Sequence, residues 1–187
     1  MSNRNTTSYM IGVDIGTTST KAVLFQEDGR VVERAGREYP LYTPVPDSAE
    51  QDPEEIFSAV LYVVRQVMDL GGVSPSQILF VSFSSAMHSV IPVDADGRPL
   101  MRCLTWADNR SAGWSEKLRH ELGGHEIYRR TGTPLHPMSP LTKLLCCATT
   151  CRSFSARQAN LFPLRSTYSP GCSASMLSIT RSHPLRD

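Results

Sequence analysis

Two apolar runs, Tyr9 to Gly16 and Lys21 to Phe25, are separated only by Thr17-Thr18-Ser19-Thr20. So short a link returns the chain on itself, which makes the two runs neighbouring antiparallel strands. The link is also chemically unusual. A strand delivers the Asp14 carboxylate to a bend that holds Gly16, the hydroxyls of Thr17, Thr18, Ser19 and Thr20, and Lys21. Phosphate oxygens need this supply of hydroxyl, backbone N–H and ammonium donors. Asp14 has no proton to give such an oxygen at neutral pH. Its chemistry suits Mg²⁺, held directly or through water. The G-x-x-x-x-G-K-S/T pattern of a Walker loop is absent. A solvated Ser/Thr-rich hairpin turn is the plainer reading of the same residues.

The elements that follow set the fold class. Glu27-Asp28-Gly29-Arg30 predicts a second tight turn, leading to a third strand over Val31 to Tyr39. Three sequential strands with short links predict an antiparallel meander. Pro40 to Gln51 is Pro-rich and reads as extended. Asp52 then caps a helix with Pro53 at its first position and Glu54 and Glu55 in its first turn. Ile56, Val60, Val63, Val64 and Val67 recur at helical spacing until Gly71-Gly72. Ile78 to Phe83 predicts a fourth strand, apolar enough for the middle of a sheet. Val90 to Val93 and Pro99 to Leu104 flank a turn at Asp94 to Gly97, and Ser111 to Leu122 reads as a helix ending at Gly123-Gly124. The order β-β-β-α-β predicts an α/β domain with a mixed sheet.

Composition narrows the function classes. Of 187 residues 40% are apolar and 20% charged, with a net charge of +1. That excludes an acidic disordered chain and gives no basic charge excess for nucleic acid. The longest apolar run, Ala59 to Val64, falls far short of the roughly 20 residues of a membrane helix. MSNRNTTS is not a secretory signal. A cytoplasmic protein with no membrane partner is the expectation.

Two further segments carry chemistry. Ser84-Ser85-Ala86-Met87-His88-Ser89 follows the fourth strand, where α/β folds open a ligand crevice. His88 would bond a polar substrate and Met87 would line its apolar edge; a structural histidine at a strand end is the alternative. Thr105-Trp106-Ala107-Asp108-Asn109-Arg110 brings together an indole face, a carboxylate that accepts hydroxyl protons and a guanidinium that clamps a carboxylate. That set suits a polyhydroxylated acid. The alternative is a helix start in which Asp108 pairs with a nearby arginine. Thr131 to Met138, with two prolines, predicts a rigid loop.

In this order, the segments YMIGVDIGTTSTK, FVSFSSAMHSVIPVDADG, TWADNRS and RTGTPLHPMSPLTKL resemble the FGGY family of carbohydrate kinases, and within it the gluconate kinases, from about Tyr9 to Leu145. The resemblance implies an actin-like, ribonuclease-H-like N-terminal domain. It implies ATP and Mg²⁺, with phosphoryl transfer to the 6-hydroxyl of D-gluconate. Asp14 would hold the metal, while Gly16, Thr17, Thr18, Ser19 and Lys21 would surround the ATP phosphates. Met87, His88, Trp106, Asp108 and Arg110 would hold the sugar acid. The catalytic aspartate and the adenine site of the family belong to later segments, so the residues present imply no turnover by themselves. A homodimer is implied for the full-length protein. A xylulokinase-like specificity and a non-catalytic actin-like nucleotide-binding module remain as alternatives.

The chain departs from this pattern after Leu145. Four of its five cysteines, Cys146, Cys147, Cys151 and Cys172, lie there, lysine is absent, and Asp187 is the sole acidic residue. The cysteine spacing makes no pair of CxxC motifs, which argues against zinc and against a small redox protein. Residues 1–8 are expected to be a disordered start, 9–145 a partial kinase domain, and 146–187 a poorly ordered tail translated out of frame. Permissible codons for Asn160 to Asp187, read one base out of frame, restore an amphipathic segment with acidic and aromatic residues. Nucleotide sequence across the Leu145 codon should show this shift; a gene that encodes no such segment in the alternative frame ends the idea.

Overall fold

The computed structural model describes residues 7–94, 96–150 and 160–163. The expected disordered start lies largely outside the described residues, and so does most of the expected tail. Strands β1 (Tyr9–Ile15), β2 (Ser19–Gln26) and β3 (Val31–Glu38) form the anticipated meander. A two-residue strand β4 (Glu50–Gln51) precedes helix α1 (Pro53–Gly71), and β5 (Ile78–Ser85) returns to the first sheet. That sheet has the order β3-β2-β1-β5, with β5 parallel to β1. Strands β6 (Val90–Val93), β7 (Cys103–Leu104) and β8 (Asn160–Pro163) join β4 in a second sheet, β4-β7-β6-β8. Helices α2 (Ala112–His120), α3 (Gly124–Thr131) and α4 (Pro140–Thr150) follow the β7 segment.

α1 is the crossover that makes the parallel β1–β5 pair possible. Its start is set as the sequence predicts: the Asp52 carboxylate accepts from the Glu54 N–H at 2.9 Å, and Pro53 opens the first turn. The two glycines at its end do different jobs. Gly72 takes the left-handed conformation (φ 62°). Gly71 lies against β2, where an added Cβ would stand 2.6 Å from Leu24 Cδ2. Between these ends Ile56, Ala59, Val60, Val63 and Val67 bury against Ile11, Val13, Ile15, Ala22 and Leu24.

Three expectations are corrected. β5 lies at the edge of its sheet among the described residues rather than in the middle, and Leu79 and Phe80 are 59% and 53% exposed. Its apolar character reflects strand propensity and one packed face, not burial on both. The second correction is α3, read from sequence as a stop. α2 ends at His120 with Glu121 as its cap, Gly123 (φ 72°) turns the chain as the residue before α3, and Gly124 starts α3 close against α2, since a Cβ there would sit 2.6 Å from Arg119 Cα. Finally, α4 runs through Leu145 to Thr150, with Cys147 buried.

Ile56 is fully buried under the sheet whereas its neighbour Phe57 is 45% exposed. Ile56→Ala should cost roughly 2–5 kcal/mol in a urea titration, against about 0.5 kcal/mol or less for Phe57→Ala.

Candidate functional site

The parallel pairing of β1 and β5 aligns Asp14 with Ser84 and Ile15 with Ser85, and the Ala86 N–H donates to the Ile15 carbonyl at 2.9 Å. The Gly16 bend and the Met87-His88 segment therefore leave the sheet side by side. On β2, Lys21 stands opposite Asp14. Directly paired residues share a sheet face, so Asp14, Lys21 and Ser84 stand together on the face opposite α1, all three exposed.

The bend itself is held from within. The Tyr39 hydroxyl donates to the Gly16 carbonyl at 2.7 Å and lies 3.2 Å from the Thr20 hydroxyl. A phenol has one proton, so Thr20 is the donor in the second contact. Burial pushes the Tyr39 phenol above its usual pKa, which keeps it a donor. The Gln51 amide donates to the Thr17 carbonyl at 2.6 Å, and the Tyr39 N–H to the Thr18 carbonyl at 3.1 Å. In a trans peptide the C=O and the following N–H point opposite ways. The Gly16 and Thr17 carbonyls, held by Tyr39 and Gln51, thus turn the N–H groups of Thr17 and Thr18 away from those two side chains, while Ser19 already belongs to β2 and its carbonyl faces Gly16. Gly16 is different: its N–H is spent on the Ser19 carbonyl at 2.9 Å, and a Cβ on it would meet that oxygen at 3.0 Å. Its part is to let the bend close, not to donate. Tyr39 and Gln51 were not legible as site residues, because nothing local in sequence marks a side chain that acts on a loop 23 or 34 positions away.

The third segment reaches the first through one contact. The Trp106 indole N–H donates to the Thr17 hydroxyl at 2.9 Å. Trp106 is half exposed, as is Met87. His88, partly buried, has a left-handed backbone (φ 64°) and its carbonyl faces the Lys143 ammonium at 3.3 Å.

Asp108 and Arg110 are more deeply committed. Asp108 is 1% exposed; Oδ2 accepts from the Ala49 N–H at 3.0 Å and from Arg110 Nη2 at 2.7 Å. Arg110 Nη2 also reaches Glu50 at 2.6 Å, and Arg110 Nε donates to both Asp108 oxygens. Burial opposes the Arg110 charge, but its two carboxylate partners outweigh that and raise its pKa. The pairing of Asp108 with a nearby arginine, the plainer of the two sequence readings, is thus present, and the Arg110 fork holds protein carboxylates. A cavity of about 300 Å³ lies beside this pair, lined by Met101, Leu104, Ser111, Cys146 and Cys147. Among the described residues no three His, Cys, Asp or Glu side chains converge on a metal site. Nor is any described helix long and apolar enough to cross a membrane.

Comparison with known proteins fits this arrangement. Residues 9–168 match the N-terminal domain of the FGGY family of carbohydrate kinases. The chain belongs to this family. It is 58% identical over 138 residues to the gluconokinase of Bacillus subtilis (strain 168), covering 74% of this chain and 26% of that protein. Among solved structures, gluconate kinase from Lactobacillus acidophilus superposes with a TM-score of 0.77 at 34% identity, covering 83% of this chain and 31% of that one. Ligand-bound xylulose kinase from the same species gives 0.72 at 36% identity, covering 76% and 29%. The chain thus spans about a quarter of the length of the curated relatives it matches.

In this FGGY domain, removing Arg110 strands two carboxylates, one of them almost fully buried. Arg110→Met should cost about 3 kcal/mol and, for a chain of this size, lower the thermal midpoint by roughly 6–12 °C. An unchanged calorimetric midpoint would show the network to be dispensable.

Proposed function

We propose that this chain forms the phosphate-gripping loop and the sugar-acid wall of an ATP-dependent gluconate kinase. The observation that carries the reading is the Trp106–Thr17 hydrogen bond, because it joins the two halves of one site across 89 positions of sequence. Thr17 accepts the indole proton, so its own hydroxyl proton is left to be donated to an oxygen of the nucleotide. The N–H groups of Thr17 and Thr18, the hydroxyls of Thr18 and Ser19, and the Lys21 ammonium supply further donors to the phosphates.

Asp14 is the carboxylate for Mg²⁺. A single exposed acid fits this ion, which keeps most of its waters and takes its other ligands from phosphates rather than from a protein cage. When bound, the ion would neutralise charge on the transferring group. Trp106 and Met87, both half exposed, and the partly buried His88 form the wall toward the sugar acid, with Asp108 and Arg110 fixing the loop that carries Trp106. Phosphoryl transfer is largely a matter of positioning and charge neutralisation, and these residues serve both. The acceptor would be the 6-hydroxyl of D-gluconate.

Support for gluconate over other sugars is the 58% identity to a gluconokinase across the segment that bears both half-sites. The likeness to a xylulose kinase makes xylulose the sugar to test against it. Calorimetric titration of the chain with Mg-ADP and then gluconate should show heat for both ligands and none for xylulose. Trp106→Phe, which loses the indole N–H but keeps an aromatic face, should weaken both by about two- to tenfold. Nucleotide binding with no heat from gluconate would favour a non-catalytic nucleotide-binding module, and heat from xylulose would redirect the assignment.

A further inference from the structure

Lys143 heads the largest fully buried side chains among the described residues, at 0% exposure. It lies in the first turn of α4, and its ammonium reaches the segment after β5 that carries His88. Burying a lysine is costly, and a core that needed only volume would be served by methionine or leucine. The amine therefore has work that a hydrocarbon cannot do. It donates to the Met138 carbonyl at 2.8 Å and to the His88 carbonyl at 3.3 Å. It thus ties the loop before α4 to the residue expected to meet the sugar acid.

His88 needs such a tie. It and Asp47 are the two non-glycine residues with positive φ among those described. A side chain with a Cβ adopts that conformation only when its surroundings impose it, and such residues gather at binding sites. Asp47 follows the same rule from the other side of the site: its carbonyl accepts the Asn109 N–H at 2.8 Å, which helps hold the Trp106 loop. The charges around Lys143 are balanced. Asp108 faces it and is itself paired with Arg110, which also reaches Glu50. Cys103, also close, has its thiol pushed up to about 12 by burial and stays neutral. Burial lowers Lys143 to about 8, with Asp108 opposing the shift, so the group is still mainly a cation at neutral pH.

We propose that Lys143 is a positioning residue for the sugar-acid site, holding the His88 backbone in the left-handed conformation that aims the imidazole at the substrate. The proposal rests on the gluconate reading above for the identity of the substrate, but not for the clamp itself. Lys143 is enclosed and touches no ligand; it acts through His88, as supporting residues do in preorganised sites.

The test uses the whole chain, labelled for NMR, with and without gluconate. In the ligand-free protein, the His88 Cα and carbonyl shifts report its backbone conformation. Lys143→Met should move them out of the left-handed range and weaken gluconate binding by about tenfold. His88→Ala should weaken it similarly, and the double variant should be no weaker than His88→Ala alone, since the two residues act in one line. Should Lys143→Met fail to fold, Lys143→Gln takes its place. The shorter amide is expected to keep the nearer Met138 contact and release His88, giving the same shift changes. Unchanged His88 shifts in either folded variant, or losses that simply add in the double variant, overturn the proposal. A wild-type chain that binds no gluconate overturns the sugar assignment instead, and the ligand-free shifts still decide the clamp.

Discussion

The site exists because β1 and β5 run parallel. That pairing forces α1 to cross over one face, and it leaves the other ends of both strands free to open at the same place. Asp14 and Ser84 come into register, and the Ala86 N–H on the Ile15 carbonyl fastens the two exits together. Had the fourth strand returned antiparallel, the Met87-His88 segment would have emerged at the far end of the sheet. The apolar surface of α1 supplies the driving force for this arrangement. Ile56, Val63 and Val67 are wholly excluded from water against β1 and β2. Function at one end of the sheet is thus secured by burial along its length.

The bend between β1 and β2 shows how a loop becomes a donor surface without a glycine-rich sequence. A Walker loop turns its amides outward through glycine conformations. Here the same result comes from outside the loop: Tyr39 and Gln51 each capture a carbonyl, and peptide planarity does the rest. Thr17 and Thr18 can therefore keep side chains whose hydroxyls add to the donor set. This arrangement is pre-formed, so on the phosphate-binding reading proposed above little ordering would remain to be done on binding.

The sequence exposed the frame and the first-rank candidates, but not what holds them. The strands, the Asp52–Pro53 start of α1 and the glycine stop were legible because each depends on residues within a few positions of one another. The Asp14 to Lys21 bend was legible for the same reason. Tyr39, Gln51 and Lys143 were not. Each is an ordinary residue locally and acquires its part only when the chain brings a distant carbonyl to it. Asp108 and Arg110 fall between. Their chemistry was recognised, but composition could not choose between a substrate clamp and an internal pair, and contact with Glu50 and Ala49 favours the pair. The edge position of β5 shows a related limit, since a run of apolar residues states that a strand is stable in a sheet and not how many neighbours it has.

The buried charges deserve to be weighed as a set. Glu50, Asp108, Arg110 and Lys143 bring two carboxylates and two cations into a small volume, and Lys143 and Asp108 are almost wholly enclosed. Such groups gain little over a hydrophobic replacement of the same shape, because the desolvation they suffer offsets most of their attraction. What they add is direction. Arg110 fixes the loop carrying Trp106 to the strand carrying Gln51, and Lys143 fixes α4 to His88. An apolar core tolerates small slips between elements, whereas a forked guanidinium or an ammonium between two carbonyls does not. The network ties down the segments that carry Trp106 and His88, the wall proposed above for the sugar acid, where slips of an ångström would matter most. Its cost in solvation is therefore best understood as the cost of holding Trp106 and His88 in a fixed relation to the Gly16 bend.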